Sequence, residues 1–192
     1  MMEVLTVIAV LSLMLAALAP GVMDWMRAAR VRNAAEAVYS GLQKARIEAI
    51  KRNTPVTFWL VSAPASGAPP GNDCAVNAAS ASWVVSLDAP TGQCGVGPST
   101  TTTPKIVATH GAGNVAAGVS VAGLAVNGTT PATSVTFNAL GQTTMNSAAL
   151  SRIDFDHEAK SARKYSVQVS AAGDIRLCDR VVESTTDPRR CA

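Results

Sequence analysis

Histidine is scarce in this chain. Only His110 and His157 occur, and neither lies near a cysteine in sequence. Zinc sites need Cys and His at short spacings, yet no CxxC pair and no HExxH helix is present. The GxSxG turn of a serine hydrolase is missing too, and a nucleophile–base pair is hard to assemble from what remains. Charged residues make up only 15% of the chain against 48% hydrophobic, which excludes a highly charged disordered protein. Aromatics reach only 4%, so the core must be built from Val, Ile, Leu and Ala. A net charge of +3 is too small to point to nucleic acid by itself. An enzyme is therefore not expected, nor is a cofactor or a metal.

Two stretches resemble sites and are better read otherwise. In Asp154-Phe-Asp-His-Glu158 the three acids would share one strand face with His157 opposite, an arrangement more often solvated than metal-bound. His110 opens a His-Gly-Ala-Gly turn that lacks the Lys and Ser/Thr of a phosphate loop.

What is present begins with four cysteines, Cys74, Cys94, Cys178 and Cys191. An even number, widely spaced, fits two disulfides in an oxidising compartment. Sequence order favours Cys74–Cys94 and Cys178–Cys191, one of three possible pairings, and buried free thiols are the alternative.

Residues 4–22, VLTVIAVLSLMLAALAPGV, carry no charge. About 20 apolar residues span a hydrocarbon core of ~30 Å as a helix, so the run reads as a transmembrane segment. Thr6 and Ser12 can return their hydroxyl bonds to the backbone. A cleaved signal peptide would carry leading positive charge, and here the first charge is Glu3. That carboxylate gains from the helix N-terminal dipole but is costly in lipid unless paired.

Pro20 and Gly21 should bend the helix, which then continues. Val31, Ala35, Val38, Leu42, Ala45 and Ala49 recur at steps of four and three, one apolar stripe on an amphipathic helix. Asn53 and Pro55 should end it. At 1.5 Å per residue, residues 3–52 make about 75 Å of helix. Beyond Pro55 the period changes to two. Strands are predicted over 56–61, 83–87, 105–109, 119–126, 135–137, 152–155, 165–169 and 175–178, the last two as a hairpin around Gly173. No helical pattern interrupts them, so antiparallel pairing is expected. The expected fold class is α+β: residues 1–23 as the transmembrane or filament-core half of a long helix, 24–54 as its amphipathic half, and 55–192 as a β-rich head covering the apolar stripe.

The opening, an apolar helix led by Glu3 with Pro20 seventeen positions later, strongly resembles type IV pilin-like proteins. The family's leader, with its cleavage-site Gly and the aromatic residue after it, does not precede Glu3, where the chain reads Met1-Met2-Glu3. A start that was truncated or assigned too late would account for this. Residues 35–55, AEAVYSGLQKARIEAIKRNTP, and 135–141, VTFNALG, are similar to the FimT/FimU and GspH family. Residues 166–178, SVQVSAAGDIRLC, and 187–191, DPRRC, resemble the FimT/FimU branch in particular.

The resemblance implies a minor pilin that initiates or caps a type IV pilus. It places the head in the periplasm, the helix in the bacterial inner membrane before assembly, and Glu3 and Pro20 in subunit assembly. Implied partners are other major and minor pilins, membrane lipid and the inner-membrane assembly platform. A type II secretion pseudopilin is the nearest alternative. DNA uptake is another, because some FimT-like proteins bind DNA through a C-terminal Gly-Arg-x-Arg motif. The matching positions are Gly173, Asp174, Ile175 and Arg176, so an acid replaces the first Arg. Arg176, Arg180, Arg189 and Arg190 are the candidate DNA contacts, with Lys160, Arg163 and Lys164 nearby. From residue 151 onward, however, 8 basic side chains face 7 acidic ones. Interleaved carboxylates oppose the counterion release that drives phosphate binding, so DNA is possible but not favoured.

Overall fold

The computed structural model describes the backbone of residues 2–64, 66–113, 117–158 and 163–191; within the long helix, the side chains of residues 2, 5, 9, 13 and 15–21 are not among those described. Helix α1 runs Met2–Arg52, followed by eight strands: β1 Val56–Leu60, β2 Trp83–Ser86, β3 Ile106–His110, β4 Val119–Ala125, β5 Ser134–Phe137, β6 Leu150–His157, β7 Tyr165–Val169 and β8 Ile175–Asp179. The eight predicted strands are all found, with ends moved by one or two residues.

The helix stops where its last carbonyls find new donors. Asn53 takes a positive φ of 53°, a conformation Asn tolerates better than most residues. Its N–H then donates to Ile50 O at 3.3 Å, and that of Thr54 to Ala49 O at 3.3 Å, the paired bonds of a Schellman cap. Pro55 follows and cannot continue the helix.

The β region forms two sheets, which the strand pattern alone did not separate. One has the order β3-β2-β1-β5 and the other β4-β6-β7-β8, with every pairing antiparallel. The second half of α1 packs on both sheets. Val31, Ala35, Val38, Leu42, Ala45 and Ala49 are each 0% exposed. They share one core with Val56, Phe58 and Leu60 of β1, Val135 and Phe137 of β5, Ile153 and Phe155 of β6 and Val167 of β7. The alanines of the stripe let the sheets come close to the helix backbone.

Gly41 carries this furthest. A Cβ there would lie 2.6 Å from the Trp83 ring and 2.9 Å from Phe58. With that space free, the Trp83 indole N–H donates to the Ala37 carbonyl at 3.1 Å and its ring lies 5.9 Å from that of Phe58.

Strand alternation sends a second set of side chains to the far face of the first sheet. Val61, Val84 and Ile106 pack there with Cys74 and Cys94 as a separate small core, under residues 62–82 and 87–105, for which the sequence offered few element signals. The Ser-Thr run at 99–103 lies mostly exposed, as expected. Among the described residues no helix is long and apolar enough to cross a membrane; Leu5, Ala9, Leu13 and 15–21 of the apolar run fall outside that set.

Candidate functional site

Glu3 is an exposed acid in the first turn of α1. Its carbonyl accepts the Thr6 hydroxyl at 2.9 Å, the local return bond expected for a polar side chain in an apolar segment. Val4, Val7, Ile8, Val10, Leu11, Met14, Val22 and Met23 are all exposed in the isolated chain. Pro20, the other residue assigned to assembly, has its side chain outside the described residues, and the α1 backbone continues through it and Gly21 as helix rather than being interrupted there.

At the other end of the chain the structure pairs Cys74 with Cys94 and Cys178 with Cys191. The second bridge closes a loop after β8, and this loop is also held by hydrogen bonds. The Asp179 N–H donates to Arg189 O at 2.7 Å, and Arg176 Nη2 donates to Pro188 O at 2.6 Å and Arg190 O at 2.9 Å. Arg176, the cation left in the altered DNA-binding motif, therefore clasps the loop.

Of the other candidate DNA contacts, Arg180 and Arg189 are engaged with carboxylates, while Arg190 enters the loop through its backbone N–H and carbonyl. Arg180 pairs with Asp156 at 3.3 Å and Asp154 at 3.7 Å. Arg189 makes a two-pronged contact with Asp187 through Nε at 3.1 Å and Nη2 at 2.7 Å, holding the Asp187 carboxyl down at about 2. Arg163 meets the buried Asp179 at 2.9 Å, and Lys164 meets Asp156 at 3.4 Å. Lys160 lies outside the described residues. A DNA strand, which gains affinity only by neutralising several phosphates at once, would find these cations already matched by carboxylates.

These pairings correct the reading of the acidic stretch. Asp154 and Asp156 lie on β6, an inner strand between β4 and β7, and face cations rather than open solvent. Among the described residues no group of three or more His, Cys, Asp or Glu is placed to hold a metal ion. His110 is likewise better partnered than the turn pattern suggested: it ends β3 and stacks on Trp83 with ring centroids 5.4 Å apart. Burial pushes its pKa down.

Three segments that carry the family resemblance meet at one corner of the head. In the Asn138-Ala-Leu-Gly141 turn, Asn138 Oδ1 accepts the N–H groups of Leu140 and Gln142, each at 3.0 Å. Gly141 O accepts Arg46 Nε from the end of α1 at 3.2 Å. Gly173, at φ 84° in the β7–β8 turn, lies so close that a Cβ would collide with the Gly141 carbonyl. Only glycine supplies both the left-handed backbone and the room.

A groove of about 540 Å³ separates α1 from the edge of the second sheet. Trp25, Ala28, Ala29, Arg32 and Asn33 form the helix wall, while Arg163, Tyr165, Leu177, Cys178, Asp179 and Arg189 form the other. Sequence reasoning did not find it. The signal was an exposed Trp placed just after an apolar run and followed by arginines.

Residues 34–173, more than half of the chain, match the family described as Type II transport protein GspH. The chain belongs to the GspH family. Its long helix packed on two antiparallel sheets is the α+β arrangement expected from the sequence. Two crystal forms of the type IV minor pilin FimU from Pseudomonas aeruginosa PAO1 are similar to this GspH-family chain. The P21 form has 18% identity and a TM-score of 0.46 over 77% of this chain and 87% of that one. The P65 form has 17% identity and a TM-score of 0.44 over 76% and 90%. No curated protein matches the sequence.

Proposed function

We propose that this GspH-family protein is a minor pilin of a type IV pilus, a structural component that helps initiate or cap the filament and performs no catalysis. One observation carries the reading. The first half of α1 exposes apolar side chains, while the second half has its stripe buried in its own head. An exposed apolar helix led by a carboxylate is stable in lipid or against similar helices, and a filament core supplies the second environment. On this reading residues 4–22 span the bacterial inner membrane before assembly, the head lies in the periplasm, and two disulfides suit that compartment. Neighbouring pilins and the assembly platform are the partners. The looped C-terminus favours the pilus branch, by its resemblance to FimT/FimU.

A type II secretion pseudopilin is the second reading, favoured by the family to which residues 34–173 belong. The experiment that separates the two deletes the gene and restores it on a plasmid, scoring surface pili and secreted enzymes in the same cells. Loss of pili with normal secretion supports the first reading; the reverse result overturns it in favour of the second.

A further inference from the structure

We propose that the groove between α1 and the C-terminal disulfide loop binds the phosphate-bearing headgroup of an anionic phospholipid, and so holds the head against the bilayer before assembly. This rests on the reading of residues 4–22 as the membrane span.

The first argument is position. Trp25 stands three residues beyond Val22, the end of the apolar run, about 5 Å further along a helix, and Arg32 about 15 Å. That range is the headgroup layer. Trp25 is 71% exposed, and an amphipathic indole prefers that depth.

The second argument is hydrogen bonding. Three guanidiniums, from Arg32, Arg163 and Arg189, line the groove, and each also meets one carboxylate, Glu36, Asp179 and Asp187 respectively, so what the groove offers an anion is spare N–H donors rather than excess charge. Glu36 holds Arg32 through Nε at 2.7 Å, and Asp187 holds Arg189 through Nε and Nη2. A guanidinium has five N–H donors, so these bonds fix the forks and leave donors for phosphate oxygens. Tyr165 lines the same groove as Arg32 of the helix wall and Arg189 of the loop wall.

The third argument is rigidity. The loop carrying Arg189 is fixed by Cys178–Cys191 and by the Arg176 clasp, so little ordering is left for the ligand to impose. A free phosphate would satisfy the arginines but would make no use of Trp25 or Leu177. A lipid supplies both the anion and the apolar contact, at the height where the groove opens. Extraction into a filament must release the lipid, so the affinity should be modest.

The test titrates the full chain, purified in an uncharged detergent, with short-chain phosphatidylglycerol, short-chain phosphatidylcholine and inorganic phosphate. Bound lipid is counted by native mass spectrometry. Arg32→Gln with Arg189→Gln is compared with Arg190→Gln, which lies outside this groove. Thermal midpoints and disulfide mapping confirm that each variant is folded. A membrane-proximal arginine is worth ~5-fold in binding anionic lipid, so the double variant should lose ~25-fold for phosphatidylglycerol and the control almost nothing. Equal binding of phosphatidylcholine, inorganic phosphate bound as tightly as the anionic lipid, or an unchanged double variant would each overturn the proposal. So would a dimer seen by sedimentation that the double variant dissolves, since the groove would then serve a second copy. Pilus incorporation of the same variants reads the proposed function separately: a chain that binds lipid yet never enters a filament leaves the groove assignment intact and overturns the pilin role.

Discussion

The two halves of α1 are one unbroken secondary-structure element with two different apolar surfaces. The first half exposes Val4, Val7, Ile8, Val10, Leu11 and Met14, large side chains facing more than one direction. The second half carries one stripe, built mostly of alanine and valine, that is fully buried against two sheets, and leaves only scattered apolar residues such as Ile47 and Ile50 exposed. Its other faces carry charge, including the Arg32–Glu36 and Arg52–Glu48 pairs at four-residue spacing. On the proposed function the difference separates two jobs: the inner half, residues 24–52, is satisfied within the molecule and holds the head together, while the outer half would be satisfied by lipid or by other chains.

The sharpest way to break that comparison is a pair of equivalent deletions. Leu42 is fully buried between the sheets, so Leu42→Ala should cost about 2–5 kcal/mol of head stability through lost contacts and a cavity. Val10→Ala in the exposed half should leave the head's thermal midpoint unchanged. Equal effects would mean that the two halves are not energetically distinct.

The disulfides give the next largest effect. The 13-residue separation of Cys178 and Cys191 and the 20-residue separation of Cys74 and Cys94 each predict about 3 kcal/mol in the chain-entropy model. Replacing the second pair with Ser should also loosen the wall of the groove, whereas replacing the first should leave that wall intact. Hydrogen exchange at Asp179 and Arg190, whose N–H groups bond within the loop, distinguishes them. Arg176→Ala should have a smaller effect of the same kind, about 1 kcal/mol for the two bonds to loop carbonyls at this exposed site, read as a lower denaturation midpoint.

Much of this was legible in the sequence. Period-two runs found every strand, and the steps of four and three found each stripe residue, because both patterns are local consequences of burial. The helix stop was equally local, set by Asn53 and Pro55. What the sequence did not carry was long-range partnering. Nothing near Arg176 shows that it reaches carbonyls 12 and 14 residues away. His110 looked like a turn residue because its Trp83 partner is on another strand. Asp154 and Asp156 read as solvated because the arginine opposite them, Arg180, comes from beyond β8. The groove was hidden for the same reason, its walls lying more than a hundred residues apart.

The smallest expected effect is on pH dependence, and it concerns the head alone. Burial lowers the pKa of His110, so the unfolded chain binds its proton more readily than the folded one. That contribution to stability is present above the ordinary histidine value of about 6.5 and is lost as pH falls through it. His110→Gln should reduce the drop in thermal midpoint between pH 7.5 and 5.5. Asp187, held at about 2, stays ionised throughout that window and should contribute nothing to the difference.

The central claim, that the outer half of α1 serves assembly and the inner half serves the fold, is tested most directly at Glu3. The carboxylate is exposed at the helix start, and in an apolar filament core it would need a cationic partner, such as the terminal amine of a neighbouring subunit. The measurement is the amount of Glu3→Ala chain in sheared filaments relative to the amount in the membrane fraction. The account predicts normal membrane levels, an unchanged head melting point and a severalfold loss from filaments. Normal incorporation of Glu3→Ala, with normal numbers of filaments on the cell, would contradict it.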